Sequence, residues 1–173
     1  MIRLHHYRMA VAVALAMNAA PTAAQQQTPP RPSCDAAEHR AFDFWIGEWT
    51  VTNPRGVVVG TSRIEAILDG CAIYESWTGG TGSNGHSFNI YDRASGRWHQ
   101  TWVDNGGMLL KLEGGLEGNA MVLSGALPGA SGVSLQRITW TPNEDGTVRQ
   151  HWESSDDEGE TWGTLFDGLY RRR

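Results

Sequence analysis

Phe42-Asp43-Phe44-Trp45-Ile46-Gly47-Glu48-Trp49-Thr50-Val51 is where this chain changes character. Ahead of it the residues favour a short helix. Asp35 is a good N-cap, and Glu38 stands three residues on in a capping-box position. Ala37, Ala41 and Phe44 fall at i, i+4 and i+7, one helical face. Gly47 then ends the helix and lets the chain turn into a strand. The spacing predicts a short helix over residues 36–45 and a first strand over 46–53.

Behind this stretch, short apolar-alternating runs are broken by turn residues to the end of the chain. Strands are predicted at 46–53, 57–68, 71–78, 86–92, 97–104, 108–116, 120–127, 133–141, 147–155 and 161–171. Ten strands joined by short turns can pair only antiparallel, because parallel pairing needs long crossovers. Closure into an up-and-down barrel removes the exposed edges. The fold class read from the sequence is therefore all-β: an antiparallel barrel of about ten strands, one end capped by the short N-terminal helix. The barrel domain spans residues 36–173.

The first residues read as an export signal. Arg3 and Arg8 precede an apolar run over residues 9–20, and Thr22-Ala23-Ala24 supplies small residues for cleavage after Ala24. That run is too short for a comfortable membrane span, which takes about 20 residues. Residues 1–24 are thus a signal peptide, residues 25–35 a polar, proline-rich tether, and the mature protein periplasmic or secreted. Two cysteines, Cys34 and Cys71, make an even count, and an oxidising compartment favours a bridge between them over two free thiols. A net charge of −5 argues against a nucleic-acid or anionic-membrane partner.

The stretch at residues 42–49 and its Gly47-Glu48-Trp49 core resemble the opening of lipocalin-like (calycin) barrels. They resemble in particular a family of secreted bacterial domains of unknown function. Further carriers of the resemblance are Gly70-Cys71, Glu75-Ser76-Trp77, Gln100-Thr101-Trp102-Val103, Arg137-Ile138-Thr139-Trp140-Thr141 and Phe166-Asp167-Gly168-Leu169-Tyr170. Nitrobindin-like and fatty-acid-binding barrels are more distantly similar. The resemblance implies a calycin barrel, in which a late arginine, here Arg171, packs over Trp49. It carries no activity. Calycin barrels in general bind small apolar molecules, and a few act as isomerases or cyclases.

Alternation decides which side chains share a face. If Asp92 sits opposite Arg97, then Asn89 faces Gln100, and Ser87, Asn89, Tyr91, Trp98, Gln100 and Trp102 share one side. The same phase sets Glu75 beside Ile73 and Trp77, and Gln150 beside Trp152. This tryptophan-and-amide face is assigned to the interior. A two-residue Asn105-Gly106 turn would instead align Met108, Leu110 and Leu112 with Val103, a conflict that a bulge in that hairpin would remove.

Other motifs carry less. Gly80-Thr81-Gly82-Ser83-Asn84-Gly85 spells a dinucleotide-binding pattern without the βαβ unit it requires, and reads as a loop on the barrel rim. Residues Ser155 to Trp162 resemble the Asp-box turn of sialidase-type propellers, with Asp157 bonding backbone amides and Gly159 at positive φ. No histidine spacing suits a metal. His151 is the haem candidate by position in nitrobindin-like barrels, but its alternation turns it outward.

The leading functional reading is a barrel that binds a small apolar or aromatic ligand without a cofactor. Trp77, Trp98, Trp102 and Trp152 would hold its body, and Asn89, Gln100, Gln150 and Glu75 its polar groups. A second reading is a cofactor-free isomerase, cyclase or hydrolase using the same cavity, with Glu75 as acid or base. A third is a structural or interaction domain whose barrel is full.

Overall fold

The computed structural model describes residues 33–129 and 132–173. The signal-peptide reading and most of the tether lie outside them. Ten strands follow one another: β1 Gly47–Thr52, β2 Val58–Ile67, β3 Ala72–Gly79, β4 Asn84–Asp92, β5 Arg97–Asp104, β6 Leu109–Glu117, β7 Ala120–Gly129, β8 Gly132–Pro142, β9 Val148–Ser155 and β10 Gly163–Arg172. Each pairs antiparallel with the next, and β10 returns to β1 through Trp49 opposite Arg172 and Val51 opposite Tyr170. The barrel is closed and up-and-down, so none of the described strands leaves an open edge to template aggregation.

The N-terminal helix is shorter than its sequence implies. One α-turn, α1 (Ala37–Arg40), is followed by a 3₁₀ turn over Asp43–Trp45. Ala36, not Asp35, occupies the cap position, and no side chain caps it. Covalent and polar ties set the start of this segment instead. Cys34 is bonded to Cys71, and Arg93 donates to the Ser33 carbonyl and to His39 Nε2 at 3.0 Å. The buried face is His39, Phe42 and Trp45, not Ala37, Ala41 and Phe44. A 3₁₀ turn repeats every three residues, so it carries the i+3 series inward.

That face plugs one end of the barrel with aromatic rings. Phe42 stacks on Trp45 at 5.0 Å between centroids and meets Trp98 and Trp140 edge-on at 5.6 and 5.1 Å. Trp98 Nε1 donates to the Glu38 carbonyl at 3.1 Å, tying the plug to β5. Trp49 lies at the closing seam, fully buried, with Nε1 donating to the Trp45 carbonyl at 2.9 Å. The arginine over its ring is Arg172, with Cζ 4.5 Å from the ring centre, rather than Arg171. Register explains the difference: Trp49 opposes Arg172 directly, while Arg171 opposes Thr50 on the other face. Gly47, at φ +153°, leaves room for this guanidinium, since a Cβ there would sit 2.5 Å from Arg172 Nη1.

The inward assignment of β4 and β5 holds. Asp92 pairs with Arg97 and Asn89 with Gln100, and Ser87, Asn89, Gln100 and Trp98 are buried. The conflict with β6 is resolved by loop length. Asn105, Gly106 and Gly107 form a three-residue turn with Gly107 at φ +84°, and Asp104 Oδ1 accepts from the Gly106 and Met108 amides. One extra residue sets Trp102 opposite Leu110 and Gln100 opposite Leu112, so both stripes face inward.

Two turns behave as their motifs imply. Residues 80–83 link β3 to β4, and Asn105 clamps them, its side chain donating to the Gly82 carbonyl at 2.8 Å and accepting from the Asn84 amide at 3.0 Å. In the Ser155–Trp162 turn, Asp157 accepts from the Thr161 amide at 2.8 Å and Gly159 sits at φ +93°.

Candidate functional site

The half of the barrel away from the plug encloses a cavity of about 350 Å³. It opens where the β3–β4 and β5–β6 turns meet, at Gly79, Thr81, Ser83, Asp104 and Met108. Its walls are Trp77, Trp102, Trp152 and Phe166, with Val59, Leu110, Ile138 and Leu165 between them. Glu75, Gln100, Gln150 and Tyr170 also line it and supply its polar inner groups.

The large rings leave this space open because they lie back against glycines. A Cβ at Gly60 would stand 2.6 Å from Trp77 Cζ2, one at Gly85 2.2 Å from Trp102 Cζ2, and one at Gly168 2.5 Å from Phe166 Cε1. Each ring thus fills the gap a missing side chain leaves on a neighbouring strand or on its own, in the manner of aromatic rescue. Trp77 and Phe166 also meet edge-on at 5.9 Å. Trp152 is fixed by donating Nε1 to Gln136 Oε1 at 2.8 Å, and Gln136 by donating to Ser134 Oγ at 3.0 Å.

Glu75 is the chemical centre of the cavity. It is 3 % exposed. Ser62 from β2 donates to Oε1 at 3.0 Å, and Ser87 from β4 donates to Oε2 at 2.9 Å. The polar line continues through β4 and β5. Asn89 Nδ2 donates to Ser87 Oγ at 3.0 Å and to the Ile73 carbonyl at 3.3 Å, and Gln100 Nε2 donates to Asn89 Oδ1 at 2.8 Å. Burial raises the Glu75 pKa from 4.5 to about 7, against the two hydroxyl bonds that pull it down. Across the barrel, Tyr170 donates to Gln150 Oε1, and its phenol is pushed well above its ordinary range by burial and by the Glu75 charge.

Of the side chains singled out from sequence, Glu75, Trp77, Gln100, Trp102, Gln150 and Trp152 meet in this cavity. Trp98 and Asn89 share the inward face but not the cavity. Trp98 belongs to the plug, and Asn89 is buried within the polar line. Alternation fixes in or out, not height along the barrel. His151 lies on the outer wall, hydrogen-bonded to Thr164 Oγ1 at 2.9 Å and 3.6 Å from Glu153. Among the described residues no group of three or more His, Cys, Asp or Glu side chains is placed to hold a metal.

Ser62, Asp104, Phe166 and Tyr170 are among the side chains that sequence reasoning missed. Ser62 was recoverable from β2, where Gly60, Ser62 and Ile64 alternate inward. Phe166 was not, because the register between β9 and β10 shifts between Thr164 and Phe166 and brings Leu165 and Phe166 to the same cavity. No family model matches this chain, and none of the curated proteins matches it.

Proposed function

We propose that this chain is an exported lipocalin-like protein that binds one small apolar or aromatic molecule in the open half of its barrel. The observation that carries this reading is the cavity itself: about 350 Å³, walled by four aromatic rings, with a few convergent polar groups. This is the usual composition and size of a small-molecule site. The Gln100 and Gln150 amides each spend one end within the protein, leaving a carbonyl at Gln100 and an NH₂ at Gln150 for a guest. The Cys34–Cys71 bridge fits an oxidising compartment, and the Gly47-x-Trp49 seam with Arg172 supports the calycin resemblance. Native mass spectrometry of protein taken gently from its own periplasm tests the reading. The expected result is a mass adduct that is lost on denaturation and refolding. A bare mass, with no added small molecule shifting the melting temperature, would oppose it.

A second reading, a cofactor-free enzyme, is favoured by one observation. Glu75 faces the cavity with its pKa near neutrality, the range in which a carboxyl both gives and takes a proton efficiently. Loss of turnover with retained binding in Glu75→Gln would separate it from simple binding.

A further inference from the structure

The cavity has a one-sided charge. Among the described residues its lining includes two carboxylates, Glu75 and Asp104, and no lysine, arginine or histidine. A barrel built to hold a carboxylate or phosphate would place a cation there, because a buried anion needs a paired charge. Here the pairing requirement runs the other way. Among the described residues each Glu75 oxygen receives one hydrogen bond, from a serine, and so keeps acceptor capacity. Tryptophan faces add attraction for cations and none for anions.

Resting on the binding reading above, we infer that the guest is an organic cation, an aryl- or alkylammonium whose nitrogen meets Glu75 and whose body lies among Trp77, Trp102, Trp152 and Phe166. The groups facing Glu75 fit this role. Ser62 from β2 and Ser87 from β4 orient the carboxylate. Tyr170 from β10 stays neutral and adds no competing charge. Arg63 and His86 stand opposite Ser76, the outward neighbour of Glu75, and are exposed on the outer wall. Asp104 at the rim adds a second negative charge on the entry path, which favours cation entry.

A charge series on one carbon frame tests the inference: 2-phenylethylammonium, 2-phenylethanol and 3-phenylpropanoate, titrated by calorimetry into the wild-type protein. The ammonium should bind at least roughly tenfold tighter than the alcohol, and the carboxylate weakest, since each tenfold is only about 1.4 kcal/mol and the coupling between closely approaching opposite charges can exceed that. Ammonium affinity should climb with pH up to about 7 and level off above it, following ionisation of Glu75. In Glu75→Gln the ammonium should fall to the level of the alcohol. Alcohol binding with no preference for the ammonium would overturn the cation assignment and leave the binding barrel standing. Absence of binding by all three would overturn both. A preference for the ammonium that survives in Glu75→Gln would overturn the role of Glu75.

Discussion

Replacing Glu75 by glutamine removes a buried carboxyl, and the expected result is a more stable protein at neutral and alkaline pH. The folded protein holds this carboxyl protonated up to about pH 7, against an ordinary value of 4.5. Its folded pKa is raised, so folding takes up a proton between those two values. The stability tied to that proton is complete below pH 4.5 and is lost as pH rises through about 7. At about 1.4 kcal/mol per pH unit, the wild type should lose about 3 kcal/mol across this window. Glutamine cannot ionise, and one serine hydroxyl can turn to accept from its NH₂, as it must for protonated Glu75. The two proteins should therefore match near pH 4.5, and Glu75→Gln should be more stable by about 3 kcal/mol at pH 8. That corresponds to roughly 10 °C in melting temperature. Urea denaturation of both proteins at intervals from pH 4.5 to 8.5 measures it, and the difference between the curves cancels every other titrating group. Parallel curves would refute the reasoning, because Glu75 would then ionise in the folded state as it does in the unfolded one.

Three further outcomes follow from the geometry. Replacing both Cys34 and Cys71 by serine opens a cross-link 37 residues long and should cost about 4 kcal/mol in urea denaturation, the loop-entropy value for that length. Phe42→Ala, at a fully buried ring touching Trp45, Trp98 and Trp140, should cost about 3–5 kcal/mol in the same assay. Gly85→Ala would set a Cβ 2.2 Å from Trp102 Cζ2 and push that ring off the wall into the cavity. It should weaken binding of any probe the wild type takes by roughly tenfold or more, the cost of about 1–3 kcal/mol that overpacking brings; calorimetry with the phenylethyl series reads it.

The strands were legible because their signals are local. Turn residues and period-two alternation lie within a few positions of each other, and all ten strands appear where those signals place them. Even the Asn89–Gln100 pairing followed from one four-residue turn. Height along the barrel was less legible. Trp98 and Trp102 have the same strand, face and residue type, yet one is plug and the other cavity wall. The clue was non-local: the Cys34–Cys71 bridge pins the plug to the β2–β3 turn, and strand alternation places that turn at the same end as Trp98. The plug itself was misread in detail, because a period of 3.6 was applied to a segment whose second half has a period of three.

The plug and the cavity are two answers to one geometric problem. A closed barrel of ten strands is wider than the eight-stranded kind whose interior side chains just fill. At one end the extra width is taken up by Phe42 and Trp45, carried in by a separate segment. At the other end no described segment enters, and the rings that could reach across are drawn back onto Gly60, Gly85 and Gly168. Had those three positions carried side chains, Trp77, Trp102 and Phe166 would be forced toward the axis and the barrel would close on itself. Between the halves runs the line Ser62–Glu75–Ser87–Asn89–Gln100, in which every hydrogen bond points toward the carboxylate. Donors aligned in that direction stabilise negative charge on Glu75, while burial opposes it. The result is a carboxyl poised between its two states at the inner end of an aromatic chamber. A cationic guest would settle that balance in favour of the ion.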